Sequence, residues 1–325
     1  ARPLAGPARA RRGRRVGAMT ATRRVGTRGS ALAVAQTTTV ADALSGATGR
    51  PTTIVTVRTE GDVSTRPLAQ LGGTGVFAAA LRRALLDGVC DLVVHSLKDL
   101  PTAPEPGLVV AALPTRADAR DALCARDGLT LAGLPAGARV GTGSPRRVAQ
   151  LLSRRPDLEV VGVRGNVDTR LASVADRRLD AVVLAAAGLD RLGRSDAATE
   201  RFDLGDWPTA PGQGALAVEV RAGEEDLVAM LDDPTTRVAV EAERRVLALL
   251  EAGCSAPVGV HAWWADDELR LDARVYRLDG SASLSSSAAA ALPTPSTSDA
   301  VEALASQVAR ELLDAGAAEL AGVGA

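Results

Sequence analysis

The sequence predicts an α/β protein in which two α/β domains flank a cleft and a smaller α+β domain follows at the C-terminus. Three observations carry this. The chain has 325 residues, 46% hydrophobic and 24% charged, enough for two or three separate cores. From residue 20 onward, short β-branched runs alternate with Ala/Leu/Arg stretches at helical spacing, the pattern of sheets with crossover helices. VGTRGSALAVAQ (25–36) is also echoed by VGTGSPRRVAQLL (140–152), each running strand, turn, helix, as two domains of related design would give.

Taken in order, residues 1–19 are an arginine-, alanine- and proline-rich leader with no acid and no periodic apolar pattern, expected to be disordered; with Met19 at its end it reads as a start codon assigned too early or as a dispensable tail. Strands are expected at 23–27, 52–58, 91–95, 108–113, 139–142, 159–163, 181–185 and 215–220, where β-branched residues cluster. Helices are expected at 30–45, 77–87, 145–155 and 167–178. The first domain takes 20–114 with 212–234, and the second takes 115–211. After about residue 235 the texture changes to a helix at 236–250, a hairpin from GCSAPVGVHAWW and LRLDARVYRLDG, a Ser/Ala/Pro-rich stretch and a last helix at 298–315. This third domain spans 235–325.

Composition narrows the function. Aromatics are 2%, so the cores are aliphatic, and a net charge of -1 gives no global reason to expect nucleic acid or an anionic membrane as partner. No apolar run is long enough to span a bilayer and no signal-type apolar segment opens the chain, which leads to the expectation of a cytoplasmic protein. Cys90, Cys124 and Cys254 are odd in number and far apart, which argues against a disulfide framework or a thiolate metal site.

The chemistry concentrates at strand ends. Both echoed turns bring a helix N-terminus together with hydroxyls and arginines: Thr27, Arg28 and Ser30 in the first, Thr142, Ser144, Arg146 and Arg147 in the second. Ser144 and Pro145 serve helix initiation, but paired arginines there oppose the helix dipole and need another reason. VRGNVDTR adds Arg164 and Arg170, and GLDRLG adds Arg191. Such a collection at a cleft suits a ligand with several carboxylates or phosphates, which arginine grips bidentately.

VVHSLKDLP (93–101) holds Lys98, the only lysine among 38 cationic side chains. A compact ammonium at this strand end does something the planar guanidinium does not, or it is a chance survivor. Asp99 beside it is either a functional carboxylate or half of an ordinary ion pair. His95 in the same run is expected to be structural. Cys90 and Cys124 sit in apolar contexts and read as small core residues, whereas Cys254 lies in a Gly/Ser/Pro loop, where a thiol acts as nucleophile or as covalent attachment point.

TRGSALA, GTGVF, VHSLKDLP, GTGSPRR, RGNVDTR, AAGLDRL, PGQGALAVE and the GCSAP loop follow one another in the order and at about the spacing of the porphobilinogen deaminases, and the chain resembles that family over roughly residues 22–320. The resemblance implies an enzyme that condenses four porphobilinogen molecules into linear hydroxymethylbilane, releasing ammonia at each step. It implies a dipyrromethane cofactor held by a thioether at Cys254. It also implies that Asp99 hydrogen-bonds pyrrole N–H groups and stabilises the cation formed as ammonia leaves, with Lys98 pairing a cofactor carboxylate. Arg28, Ser30, Gln36, Thr142, Ser144, Arg146, Arg147, Arg164, Arg170 and Arg191 would bind cofactor and substrate, no metal is expected, and a monomer is expected.

Departures from the family lie at Gln70 and Thr74, where many relatives have lysine, and at Gly143, where many have serine. A competing class is a two-lobed anion-binding receptor or regulator domain, since two α/β lobes with anion-binding helix ends also describe periplasmic-type binding proteins. That class has no use for a thiol at Cys254.

Overall fold

The computed structural model describes residues 22–57, 75–253, 256–291 and 298–321. The first lobe begins with β1 (Arg23–Arg28), α1 (Ala31–Thr48), β2 (Thr52–Val57), α2 (Gly75–Leu86), β3 (Leu92–Ser96) and β4 (Leu108–Ala112). The chain then crosses to β5 (Asp121–Ala125), β6 (Arg139–Gly141), α3 (Pro145–Arg154), β7 (Glu159–Val161), α4 (Val167–Ala175), β8 (Ala181–Ala185), α5 (Ala186–Arg191) and β9 (Glu200–Arg201). It returns to the first lobe for β10 (Leu216–Arg221) and leaves again along α6 (Pro234–Leu249).

The two sheets repeat one design, with orders β2-β1-β3-β10-β4 and β7-β6-β8-β5-β9. In each, the strand of the echoed motif pairs in parallel on both sides, and the strand after next is antiparallel and lies next to a point where the chain crosses between lobes. The glycine of each VGT is required by packing. A Cβ on Gly26 would stand 2.8 Å from both Cys90 Sγ and Val93 Cγ1, and one on Gly141 would stand 2.6 Å from Leu179 Cδ1. Helix initiation repeats as well: Ser30 is the N-cap of α1 and accepts from Ala33 N, while Ser144 is the N-cap position of α3 with Pro145 behind it. The echo in sequence is therefore an echo in structure.

The crossing segments pack against each other. Arg116 Nε donates to Gln213 O at 2.8 Å and Ala117 N to Gly214 O at 3.3 Å. Gly214 has φ +87° there, and a Cβ on it would meet Ala117 O at 2.5 Å, so no larger residue fits without moving the crossing.

The C-terminal unit is β11 (Val258–Ala265), β12 (Glu268–Tyr276) and β13 (Ser283–Ala291), an antiparallel sheet covered by α6 and α7 (Ser298–Asp314), with α8 (Ala317–Ala321) closing it. β12 alternates inward Leu269, Leu271, Ala273 and Val275 with outward polar residues. Its turn docks on α3, where Gly280 has φ +75° and a Cβ would meet Ser153 N at 2.5 Å.

Most expected elements appear within a few residues of their expected ends. Three strands were not anticipated, namely β5, β9 and β13. DALCA in β5 lacks β-branched residues, ER in β9 is a two-residue pairing, and SLSSSAAAA in β13 is built of small residues that pack by alternation alone. The Ser/Ala-rich stretch is thus the third strand of a sheet that the sequence presents as a hairpin. The leader, Gln70, Thr74 and Cys254 lie outside the described residues.

Candidate active site

The two arginines that oppose the dipole of α3 are explained by a carboxylate the sequence did not reveal. Asp121, at the start of β5 and fully buried, accepts from Arg146 Nη1 at 2.8 Å and Arg147 Nη2 at 2.5 Å. Trp207 Nε1 (2.9 Å) and Gln213 Nε2 (2.8 Å) complete its shell. Burial alone would raise this carboxyl, but Arg146 and Arg147 overcome it and hold it far below the usual carboxylate range. Arg146 also reaches Gln150 Oε1 at 2.6 Å, and Arg147 reaches Val183 O at 3.0 Å. Both Nε atoms are buried with no hydrogen-bond partner among the described residues. The pair expected to be open anion clamps is therefore partly committed to the protein.

Gln213, in the return crossing, carries this network to the other lobe. Its amide nitrogen is fixed by Ala119 O and Asp121 Oδ1, both at 2.8 Å, which turns its oxygen toward two cations. Lys98 Nζ donates to it at 3.3 Å and Arg147 Nη2 at 3.4 Å. Lys98 stands in a single 3-10 turn, Leu97–Asp99, directly after β3. Leu97 is buried and its N–H bonds Ala215 O at 3.0 Å, so the turn that carries the half-buried Lys98 and Asp99 is anchored. Burial, then Arg147, pushes the Lys98 ammonium down to about 8 against the pull of Asp99 and Asp121.

The other expected residues divide. Thr142 is buried and its hydroxyl accepts from Ser144 N at 3.2 Å, shaping the turn before α3. Gln36 accepts from Ser96 Oγ at 3.1 Å and so braces the residue before the 3-10 turn. Arg28 ends β1, and Ser30 is occupied as a cap. Arg170 donates to Gly165 O at 2.9 Å; burial and the nearby charges of Arg147 and Arg164 lower its pKa. Arg191 is bound to Gly214 O at 2.7 Å, which makes it a support of the crossing segment. In this backbone a Cβ at Gly143 would lie 2.8 Å from Val163 O, so a serine there requires the turn to shift.

Residues set aside as structural are so placed. His95 is buried with Nε2 3.3 Å from Glu219, itself paired with Arg82. Burial pushes the Cys90 thiol up to about 11 and that of Cys124 to about 12, which makes both poor nucleophiles.

A cavity of about 40 Å³ lies where both lobes meet the C-terminal unit. Lys98, Ser144 and Arg146 line it, together with Arg244 and with Gly253 and Ala256, the described residues on either side of the Cys254 loop. Among the described residues no group of three or more His, Cys, Asp or Glu side chains could hold a metal, and no helix is long and apolar enough to cross a membrane.

Comparison with known proteins shows the family. Residues 23–229 match the family profile described as "Porphobilinogen deaminase, dipyromethane cofactor binding domain", and residues 237–314 match "Porphobilinogen deaminase, C-terminal domain". A porphobilinogen deaminase of Leifsonia xyli subsp. xyli is 59% identical over 321 residues, 95% of each chain. Porphobilinogen deaminase 1 of Streptomyces coelicolor is 54% identical over 311 residues, 92% of this chain and 97% of its own. Among solved structures, a periplasmic substrate-binding protein of an ABC transporter from Coxiella burnetii covers 66% of this chain and 94% of its own at TM-score 0.42 and 16% identity, too distant to bear on activity. With both of its profiles matched in order and relatives alike over nearly their whole length, the chain belongs to the porphobilinogen deaminase family.

Proposed function

We propose that this chain condenses four porphobilinogen molecules head to tail into hydroxymethylbilane with release of ammonia, using Asp99 as its catalytic carboxylate and Cys254 as the attachment point of a dipyrromethane cofactor. The observation that carries the residue assignment is the shared cavity: Lys98, next to Asp99, and the residues flanking the Cys254 loop line the same space.

The residues present fit such a group, a pair of linked pyrroles bearing four carboxylates. Lys98, Arg146, Arg147, Arg164 and Arg170 gather near one another, against Asp99 and Asp121. Burial first, and then the charges of neighbouring arginines, lower the pKa of Lys98, Arg146 and Arg170, the setting that a polyanionic ligand relieves. The buried, unsatisfied Nε atoms of Arg146 and Arg147 are donors in want of acceptors. Lys98, Arg147, Arg164 and Arg170 would hold the carboxylates of cofactor and growing chain, with Ser144 and Arg28 at the adjoining strand ends. When bound, the cofactor supplies the nucleophilic pyrrole carbon to which the first substrate is joined.

Asp99 does the work of charge. Its carboxylate sits in an anchored turn that needs no reorganisation as positive charge develops on the substrate. We assign to it as well the proton transfer that accompanies loss of ammonia. The cationic rim draws in a substrate that bears two carboxylates and keeps the elongating chain in the cleft. We further propose a cytoplasmic monomer, with every site residue supplied by one chain, and no nucleic acid or membrane partner. The receptor alternative is not favoured, because relatives alike over more than nine-tenths of the chain carry the enzyme's name.

Asp99→Ala tests the assignment. Turnover falls at least a hundredfold, in keeping with about 2.7 kcal/mol for one preorganised electrostatic contact, while the fold is kept. A variant that keeps most of its kcat returns Asp99 to the role of a surface ion-pair partner.

A further inference from the structure

The turn that carries Lys98 and Asp99 is not completed by its own sequence. It has no side-chain cap, and from Leu100 the backbone is extended: Leu97 O accepts from Leu100 N at 3.1 Å, but Leu100 O and Pro101 O need donors from outside the turn. One side chain of α6 supplies them. Arg244 Nη1 donates to Leu97 O at 3.2 Å and Leu100 O at 2.9 Å, and its Nη2 donates to Pro101 O at 2.6 Å. A planar guanidinium with donors in fixed directions spans three carbonyls at once; an ammonium has the donors but not the breadth. The next residue, Arg245, points elsewhere and pairs with Glu302 of α7 at the surface.

Arg244 is also tied to the other half of the site. It stands on the helix that ends at Leu249 and leads through Gly253 to Cys254, and it lines the cavity shared by Lys98 and Gly253. One guanidinium thus joins the element that delivers the cofactor-bearing loop to the turn that delivers the catalytic carboxylate.

We propose that Arg244 is a positioning residue for the condensation: it fixes the distance between the Asp99 turn and the chain leading to Cys254, so that the carboxylate stays aimed at pyrroles tethered from the third domain. This rests on the assignment of Asp99 and Cys254 above. Arg244 touches backbone carbonyls of the turn, so its loss acts on the rate of the step that Asp99 serves more than on capture of substrate.

The test compares full-length Arg244→Ala and Arg244→Lys with the parent, with Arg245→Ala as a control and Asp99→Ala as a reference. For each, intact mass, thermal midpoint, kcat and KM for porphobilinogen, and amide hydrogen exchange across 97–102 are measured. Both Arg244 variants are expected to lose roughly ten- to a hundredfold in kcat with KM within about twofold, the range a small misplacement of a catalytic group costs. Exchange across 97–102 speeds up in both while Arg245→Ala behaves as the parent, and added ethylguanidinium restores part of the Arg244→Ala rate. Arg244→Lys, which keeps the charge and the stem, decides the matter if the alanine variant does not fold. The proposal is overturned if the folded Arg244 variants keep parental kcat and exchange protection, if only KM changes, or if the loss of kcat merely follows the fraction unfolded. Parental turnover in Asp99→Ala is a separate result, which removes the assignment on which the proposal rests.

Discussion

Lys98 and Arg147, from different lobes, share one acceptor: Lys98 Nζ meets Gln213 Oε1 at 3.3 Å and Arg147 Nη2 meets it at 3.4 Å. Gln213 in turn is held by Asp121, so the Lys98 turn of one lobe and the arginine pair of the other are spaced by a single amide on the return crossing. This explains why the only lysine stands where it does. A second guanidinium at 98 would be wider and planar, and it would compete with Arg147 for the same oxygen. Lys98→Arg is expected to give slow or incomplete cofactor assembly, seen as residual unmodified mass, and reduced turnover in the assembled fraction. Parental mass and kinetics would show that position 98 asks only for a cation.

The Lys98 ammonium also sets a pH dependence. Its pKa in the fold is lowered to about 8 from the ordinary 10.5 by burial and by Arg147. The unfolded chain therefore keeps a proton that the folded chain has released between those values, and stability from this group rises with pH across that window. In a Cys254→Ser background, the stability of the protein relative to its Lys98→Met variant should climb from about pH 8 to 10.5 and stay level below pH 7, read as thermal midpoints. A level difference throughout would contradict a lysine poised among arginines.

Asp121→Asn keeps the shape of the side chain and removes the charge that compensates Arg146 and Arg147. Removing one partner of a buried ion pair costs about 3–5 kcal/mol, because the remaining charges stay buried and unpaired. Denaturant unfolding should show a loss of that order, with a fall in cofactor loading. A change under about 1 kcal/mol would mean that the arginines are satisfied without Asp121.

The packed VGT glycines and the open Gly46 give predictions of opposite signs. Gly26→Ala and Gly141→Ala place a methyl within 3 Å of packed side chains and should each cost roughly 1–3 kcal/mol. Gly46→Ala, in α1 with nothing within 4 Å of the new methyl, should stabilise by roughly 0.5–1 kcal/mol. Melting curves of the three variants check this, and a uniform sign would undo the packing account of the echo.

The echoed turns were legible because strand, glycine, cap and helix signals are local, and they correctly placed β1 with α1 and β6 with α3 in corresponding positions. Lys98 stood out by residue type, as the only lysine, and Asp99 as its neighbour and through the family resemblance. Asp121 did not: it lies 25 residues before Arg146 in a strand without β-branched residues, and only the chain's crossing between lobes brings it under α3. Gln213 and Arg244 were hidden for the same reason, since Gln213 reaches Lys98 across 115 residues of chain and Arg244 reaches Leu97 across 147. Arg146 and Arg147, read as open clamps, were correctly seen to need a partner, but part of that partner is the protein itself.

The central claim is that Cys254 bears a cofactor made of two linked pyrroles beside Asp99, and the intact mass of the purified full-length protein tests it most directly. The parent should be heavier than its chain by the two-pyrrole unit, and Cys254→Ser should sit at the chain mass with turnover lost. A parent at the bare chain mass with full turnover would contradict the account.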